Sequence, residues 1–262
     1  MAAGNETYLD RIVAHHRKRA AADRRDVQHL FDLVDGCIPA KKFRNALAEP
    51  GLSVIAEVKR RSPSKGDLFP DLDPAVLAKQ YFEGGAACLS VLTDGPHFGG
   101  SVQDLQDARS AVDLPVLRKD FTVDDIDVLD ARLMGADAVL LIAAALSSAE
   151  LKHLYLLGRE IGLDVLVEVH DEGEMEAALE VGADLIGVNQ RDLYTFKVDH
   201  ERASRMAALL PAGVIGVAES GVRGPEDAAA LKEVGYKAVL VGETLVTSGD
   251  PVAAVSALRG SH

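Results

Sequence analysis

Strand-like apolar runs of two kinds alternate along this 262-residue chain, and that alternation does most to limit what it can fold into. One kind follows a glycine: GGAACLSVL at 84–92, MGADAVLLI at 134–142, VGADLIGVN at 181–189 and VGYKAVLVG at 234–242. Their second residues, Gly85, Gly135, Gly182 and Gly235, are 50, 47 and 53 positions apart, about two βα units each. Each reads as the point where a helix ends and a strand follows. The other kind, VIAEVK, VLRKDF, VLVEVH and VIGVAES, begins near Val54, Pro115, Asp164 and Val214 and ends in charge. Every run is followed by a helical pattern, among them PAVLAKQYFE, DDIDVLDARL and PEDAAALKEV.

Repeated βα units imply a parallel sheet, and eight of them close into a (β/α)8 TIM barrel of the α/β class. The competing arrangement, a doubly wound open sheet, has about six strands and a GxGxxG turn at its first junction. That junction here reads EVKRRSPSKG. Residues 1–50 mix charged and apolar positions and are expected to form a helical extension packed on the barrel. With no Pro/Gly/Ser-rich linker, 1–262 reads as one domain.

A formal charge of -13 argues against a general polyanion-binding surface, so no nucleic acid partner is expected. A local cationic pocket can still hold one phosphate or carboxylate. Cys37 and Cys88 stand 51 positions apart, with no second cysteine or histidine at metal-ligand spacing, so neither a disulfide framework nor a zinc site is expected. His15 and His16, beside Arg17, Lys18 and Arg19, read as solvated. His170 reads as a capping or loop-packing residue, and no metal is assigned. The N-terminus lacks the apolar core of a signal peptide, and no stretch offers about 18 uninterrupted apolar residues. A cytoplasmic protein without a membrane partner is expected.

In a parallel barrel the carboxyl ends of the strands form the working face. A charge there is costly to bury unpaired, so four charged ends on alternate runs point to one shared, solvated site. Glu57 and Lys59, two apart and hence on one face, come from the first run; Lys119 comes from VLRKDF and Glu168 from VLVEVH. Asn189, with Arg191 just beyond, and Glu219 with Ser220 complete the set. Mixed carboxylates and lysines suit proton transfer on an anionic substrate; ion pairs closing the barrel mouth are the plainer alternative. Ser62 and Ser64 in RRSPSKG, Ser220 with Gly221, and Gly242 offer hydroxyls and open backbone amides. The last of these follow strands seven and eight, where barrels hold phosphate, although any one glycine alone reads as a turn. Phe98, Phe121, Leu140 and Leu193, at or beyond strand ends, either form a slot for a planar ring or pack the rim.

The ordered motifs VIAEVKRRSPSKG, LSVLTDGPHFGGS, VLRKDF, GADAVLLI, VEVH, GVNQRDL, AESGV and LVGETL resemble those of the indole-3-glycerol phosphate synthase family. The resemblance implies conversion of 1-(2-carboxyphenylamino)-1-deoxyribulose 5-phosphate to indole-3-glycerol phosphate in tryptophan biosynthesis, a carboxy-lyase reaction that also loses water. It implies no cofactor and a phosphorylated small-molecule substrate; with one barrel only the chain reads as monofunctional, and a monomer or weak homodimer is expected. By similarity Lys119 is the general acid, its pKa lowered by burial and neighbouring cations while carboxylates oppose the shift. Glu168 matches the acid/base of dehydration, and Lys59 contacts substrate, the division of proton delivery between the two lysines being left open. Glu57, Asn189, Glu219 and Ser220 match positions that orient the lysines and the substrate hydroxyls. Arg191 would meet the aromatic carboxylate; Ser62, Gly221, Gly242 and the amide of Glu243 the phosphate; Phe98, Phe121, Leu140 and Leu193 the ring.

One position departs from a common family form: the residue after Gly242 is often small, frequently serine, and here is Glu243. Its carboxylate must point away from a bound phosphate or repel it. Two other readings stay open. A related sugar-phosphate isomerase would leave VLRKDF and RRSPSKG without a purpose, and a noncatalytic phosphate-binding subunit would use the acidic exterior and helical extension for a partner.

Overall fold

The computed structural model describes residues 7–63, 65–192 and 197–260. Eight strands, β1 (Ser53–Val58), β2 (Cys88–Leu92), β3 (Val116–Lys119), β4 (Ala138–Ile142), β5 (Asp164–Val169), β6 (Leu185–Asn189), β7 (Ile215–Glu219) and β8 (Ala238–Val241), pair in chain order and close when β8 meets β1. All eight pairings are parallel, giving the TIM barrel that the alternating runs predict. The helices are α1 (Tyr8–Ala22), α2 (Val27–Asp35), α3 (Phe43–Ala46), α4 (Pro74–Glu83), α5 (Gly95–Phe98), α6 (Val102–Ala111) and α7 (Asp125–Leu133), followed by α8 (Ser148–Glu160), α9 (Glu172–Glu180), α10 (Arg202–Ala207), α11 (Pro225–Glu233), α12 (Glu243–Val246) and α13 (Pro251–Arg259).

Local chemistry sets these boundaries. Asp73 caps α4 by accepting from the Ala75 and Val76 amides, and Pro74 occupies the first turn, where its missing N–H costs nothing. Thr7 with Asp10 and Ser147 with Glu150 form reciprocal capping boxes on α1 and α8. The four repeat glycines all take positive φ, between 81° and 111°, which is why that residue recurs where each helix turns into a strand.

Side chains alternate across each strand, so position along the run decides what faces inward. On β1, Val54, Ala56 and Val58 pack outward against the helices, while Ile55 joins Leu117, Leu140, Leu166, Leu185 and Val217 inside the barrel. Two residues beyond such inward positions stand Glu57, Lys119, Glu168 and Glu219, so the barrel's interior column ends in charge at its carboxyl rim. At the opposite rim α3 seals the barrel: Phe43 and Leu47 are fully buried in that same interior cluster. Acids at the starts of the strands hold this floor in place. Asp137 accepts the Lys41 amide at 2.7 Å and Asp164 accepts the Arg44 amide at 2.9 Å. The floor is closed and the mouth is open, so a ligand enters at the charged end.

Candidate active site

The strand-end residues meet around a cavity of about 350 Å³. Glu57 Oε1 lies 2.6 Å from Lys59 Nζ. Lys119, on the last residue of β3, reaches across the barrel to within 3.1 Å of Glu168 Oε2 and 3.6 Å of Glu219 Oε2. Asn189 donates through Nδ2 to Glu168 Oε1 at 3.0 Å, and its own Oδ1 accepts the Arg191 amide at 3.0 Å. Two glycines make room for this cluster. A Cβ on Gly242 would run into the Glu57 carboxylate, and one on Gly187 into that of Glu219.

Burial and pairing set the charges. Burial pushes the Lys119 ammonium toward losing its proton, but Glu168, Glu219 and Glu57 outweigh it and raise its pKa above the ordinary lysine value. The sequence-based expectation of a lowered Lys119 is therefore corrected: its surroundings are anionic. Burial favours the neutral form of Glu168, yet Lys119, His170 and Asn189 reverse this and hold it below the usual carboxylate range. Glu219 is left with the opposite outcome. Burial and the Glu168 charge push it up to about 8, with Lys119 only partly opposing. The pair therefore divides into one ionised and one protonated carboxyl near neutrality.

Beyond β7 the backbone turns sharply: Ser220 has φ 65°, costly for a residue with a Cβ, and Gly221 follows at φ 74°. Gln190, buried and overlooked in the sequence, donates to the Ser220 carbonyl at 2.8 Å. After β8, Thr244 Oγ1 donates to the Val222 carbonyl at 2.6 Å and ties the two glycine loops together. The Glu243 carboxylate pairs with Lys65 and lies 3.9 Å from Arg191. The Ser62 hydroxyl is buried and has no hydrogen-bond partner among the described residues.

The apolar wall is built from Phe98 and Phe121, with ring centroids 6.3 Å apart, together with Leu140. Helix α1 closes this side with Tyr8, Leu9 and Ile12, a contribution the sequence did not suggest. His16 is the anchor, and its expected solvation is corrected. It is 5% exposed, with Nε2 3.3 Å from Asp94 Oδ2 and 3.8 Å from Asp120 Oδ1, and its ring packs on Phe121 at 5.4 Å. Basic neighbours in the sequence gave no hint that α1 lays this face across the mouth.

Every expected site residue among those described lines this one cavity: Glu57, Lys59, Ser62, Phe98, Lys119, Phe121, Leu140, Glu168, Asn189, Arg191, Glu219, Ser220, Gly221, Gly242 and Glu243. Leu193 lies outside the described residues. The group of described residues with donor atoms close enough for a metal is His16, Asp94 and His97, all within 4.8 Å. Asp94 Oδ2 is already shared by the two imidazoles, at 3.3 and 2.8 Å, an arrangement that hydrogen bonding accounts for. Burial raises the Asp94 pKa, but bonds from His16 and His97 bring it down to about 2.

A closed parallel barrel with a floor of apolar side chains and a mouth of paired lysines and carboxylates defines the chain as a barrel enzyme. The model of the indole-3-glycerol phosphate synthase family matches residues 9–258, and the chain belongs to that family. It is 52% identical over 231 residues to indole-3-glycerol phosphate synthase 2 of Streptomyces coelicolor, covering 88% of this chain and 90% of that protein. To the indole-3-glycerol phosphate synthase of Mycolicibacterium smegmatis it is 48% identical over 260 residues, 98% and 96% of the two chains. Among solved structures, thiamine phosphate pyrophosphorylase from Pyrococcus furiosus superposes with a TM-score of 0.61 at 18% identity, over 84% of this chain and 96% of that one, a likeness of fold alone.

Proposed function

We propose that this chain converts 1-(2-carboxyphenylamino)-1-deoxyribulose 5-phosphate to indole-3-glycerol phosphate, releasing carbon dioxide and water. The observation that carries the reading is the Lys119 ammonium, set at the barrel mouth 3.1 Å from Glu168 and 3.6 Å from Glu219, beside the Phe98 and Phe121 wall. The ring carbon bearing the carboxylate attacks the ketone carbon, and Lys119 delivers a proton to the ketone oxygen as the new C–C bond forms. Loss of carbon dioxide returns its bonding electrons to the ring. The resulting hydroxyl leaves as water after protonation, with a proton removed from the adjacent carbon to complete the indole. Glu168 serves this second stage, and Lys59, paired to Glu57, contacts the substrate.

A strongly paired ammonium is a poor acid in the empty site. Substrate entry alters this balance: Arg191 receives the aromatic carboxylate, while Lys119 is drawn toward the developing alkoxide, whose basicity far exceeds that of a carboxylate. The phosphate sits at Ser62, Gly221, Gly242 and the Glu243 amide, with the Glu243 side chain kept aside by Lys65. Phe98, Phe121, Leu140 and Leu193 hold the ring, and folding the flexible substrate so that ring carbon and ketone meet supplies much of the rate. Asn189, Glu219 and Ser220 orient the substrate hydroxyls and the reacting groups. The extension 1–50 is read as one unit with the barrel, a reading supported by α1, which supplies one wall of the cavity, and by α3, which seals the barrel's opposite rim. Turnover needs no cofactor. The protein acts in the cytoplasm as a monomer or weak homodimer, and among the described residues no helix is long and apolar enough to cross a membrane.

The test is appearance of indole fluorescence when purified protein meets this substrate. Rapid product formation supports the reading; none from folded protein removes it, and turnover of phosphoribosylanthranilate instead would favour the isomerase.

A further inference from the structure

His170 follows the last residue of β5 and lies two positions beyond Glu168, yet the reaction as described gives it no part. Its ring is held on both sides. Nδ1 lies 3.0 Å from Glu174 Oε2, the oxygen that also accepts the His170 backbone N–H at 2.7 Å, so the first turn of α9 fixes the ring. Nε2 is buried, makes no well-aligned hydrogen bond, and has Glu168 Oε1 at 3.4 Å. The expected capping or packing role thus describes only one edge of the imidazole. A neutral ring offers one N–H and one lone pair, and here the lone pair would face a carboxylate oxygen whichever tautomer formed. The imidazolium satisfies both carboxylates. Burial disfavours that charge, but Glu168 and Glu174 prevail and raise the pKa to about 9.

Glu168 is correspondingly divided between its two oxygens. Oε1 takes Asn189 Nδ2 at 3.0 Å and faces His170, whereas Oε2 faces Lys119 at 3.1 Å. Among the described residues, the ionisable groups around this chain of contacts are Glu174 from α9, Glu168 from β5, Lys119 from β3, Glu219 from β7 and Glu57 from β1. The Ala143–Ala145 turn packed on β5 and α9 adds no charge.

We propose that His170 is a positioning residue: as an imidazolium anchored by Glu174, it occupies one oxygen of Glu168 and keeps that group an oriented carboxylate, with its other oxygen turned to Lys119 and the substrate. The proposal rests on the role assigned to Glu168 above. Without the cation, the carboxylates of the mouth lose a counter-charge, and Glu168 binds its proton more readily.

Rate–pH profiles of the wild type, His170→Asn, Glu174→Gln and the double variant test this. His170→Asn is expected to lower kcat about tenfold with KM within about twofold, and to move the acid limb upward by about one pH unit. Glu174→Gln moves the limb the same way by less, and the double variant is no worse than His170→Asn, because both act through one contact. Folded variants whose acid limb stays at the wild-type position would overturn the proposal, as would equal losses of activity at every pH that track lost folded protein. If His170→Asn fails to fold, Glu174→Gln carries the same decision. An NMR titration of the His170 ring in the full chain reads the contact without turnover: a pKa near 9 that falls in Glu174→Gln supports it, and an ordinary value near 6.5 contradicts it. A wild type that titrates as expected but makes no indole product would sink the synthase reading and not this pairing.

Discussion

Lys119 shows how far a residue's chemistry depends on neighbours that only the fold assembles. Its presence at a strand end was legible in VLRKDF, but the sign of its pKa shift was not, because Glu168 and Glu219 come from runs 49 and 100 positions away. Glu219 carries the second residue-scale consequence. Its carboxyl ordinarily titrates at 4.5 and is raised to about 8 in the folded chain. Between those values the native state holds a proton that the unfolded chain has released, so this group's contribution is fully present below pH 4.5 and is lost as pH rises to about 8. Urea midpoints at pH 5, 6, 7 and 8 should therefore fall more steeply for the wild type than for Glu219→Gln, which cannot ionise. Parallel trends in the two proteins would contradict the raised value. His16 and Gln190 were illegible for a related reason: each acts through a partner on another loop, Asp94 in one case and the Ser220 carbonyl in the other.

At the scale of elements, the eight strands and their helices were written plainly in the sequence, because continuous apolar runs, buried along their length, and helix-ending glycines are local signals. What the N-terminal helices do was not, since amphipathic helices reveal a buried face but not what covers it. The structure divides the labour between them. Helix α3 plugs the floor, so Phe43→Ala should cost about 3–5 kcal/mol of stability while leaving KM unchanged, a combination that denaturation and kinetics can check together. Helix α1 walls the mouth and is held there by His16. His16→Ala should therefore raise KM by about tenfold with a smaller change in kcat, because it loosens the wall beside Phe121 without touching the reacting groups. A fall in kcat at constant KM would place α1 in the chemistry instead.

The whole molecule joins a sealed, apolar end to a charged, open one, and the same inward column of side chains runs through both. A chain of net charge -13 still gathers Lys59, Lys119 and Arg191 at one mouth, where Glu57, Glu168 and Glu219 stand beside the lysines, so the field a ligand meets there is set by these neighbours and not by the net charge. The proposed function turns on Lys119 as the donor of the proton that drives ring closure. With no tryptophan in the chain, indole fluorescence reports product against little background. The direct measurement is the initial rate of that signal for the wild type and Lys119→Ala, with circular dichroism on both proteins. Rapid formation is expected from the wild type, with a loss of at least about a hundredfold in a variant that keeps the barrel's spectrum. Near-normal turnover by a folded Lys119→Ala would contradict it.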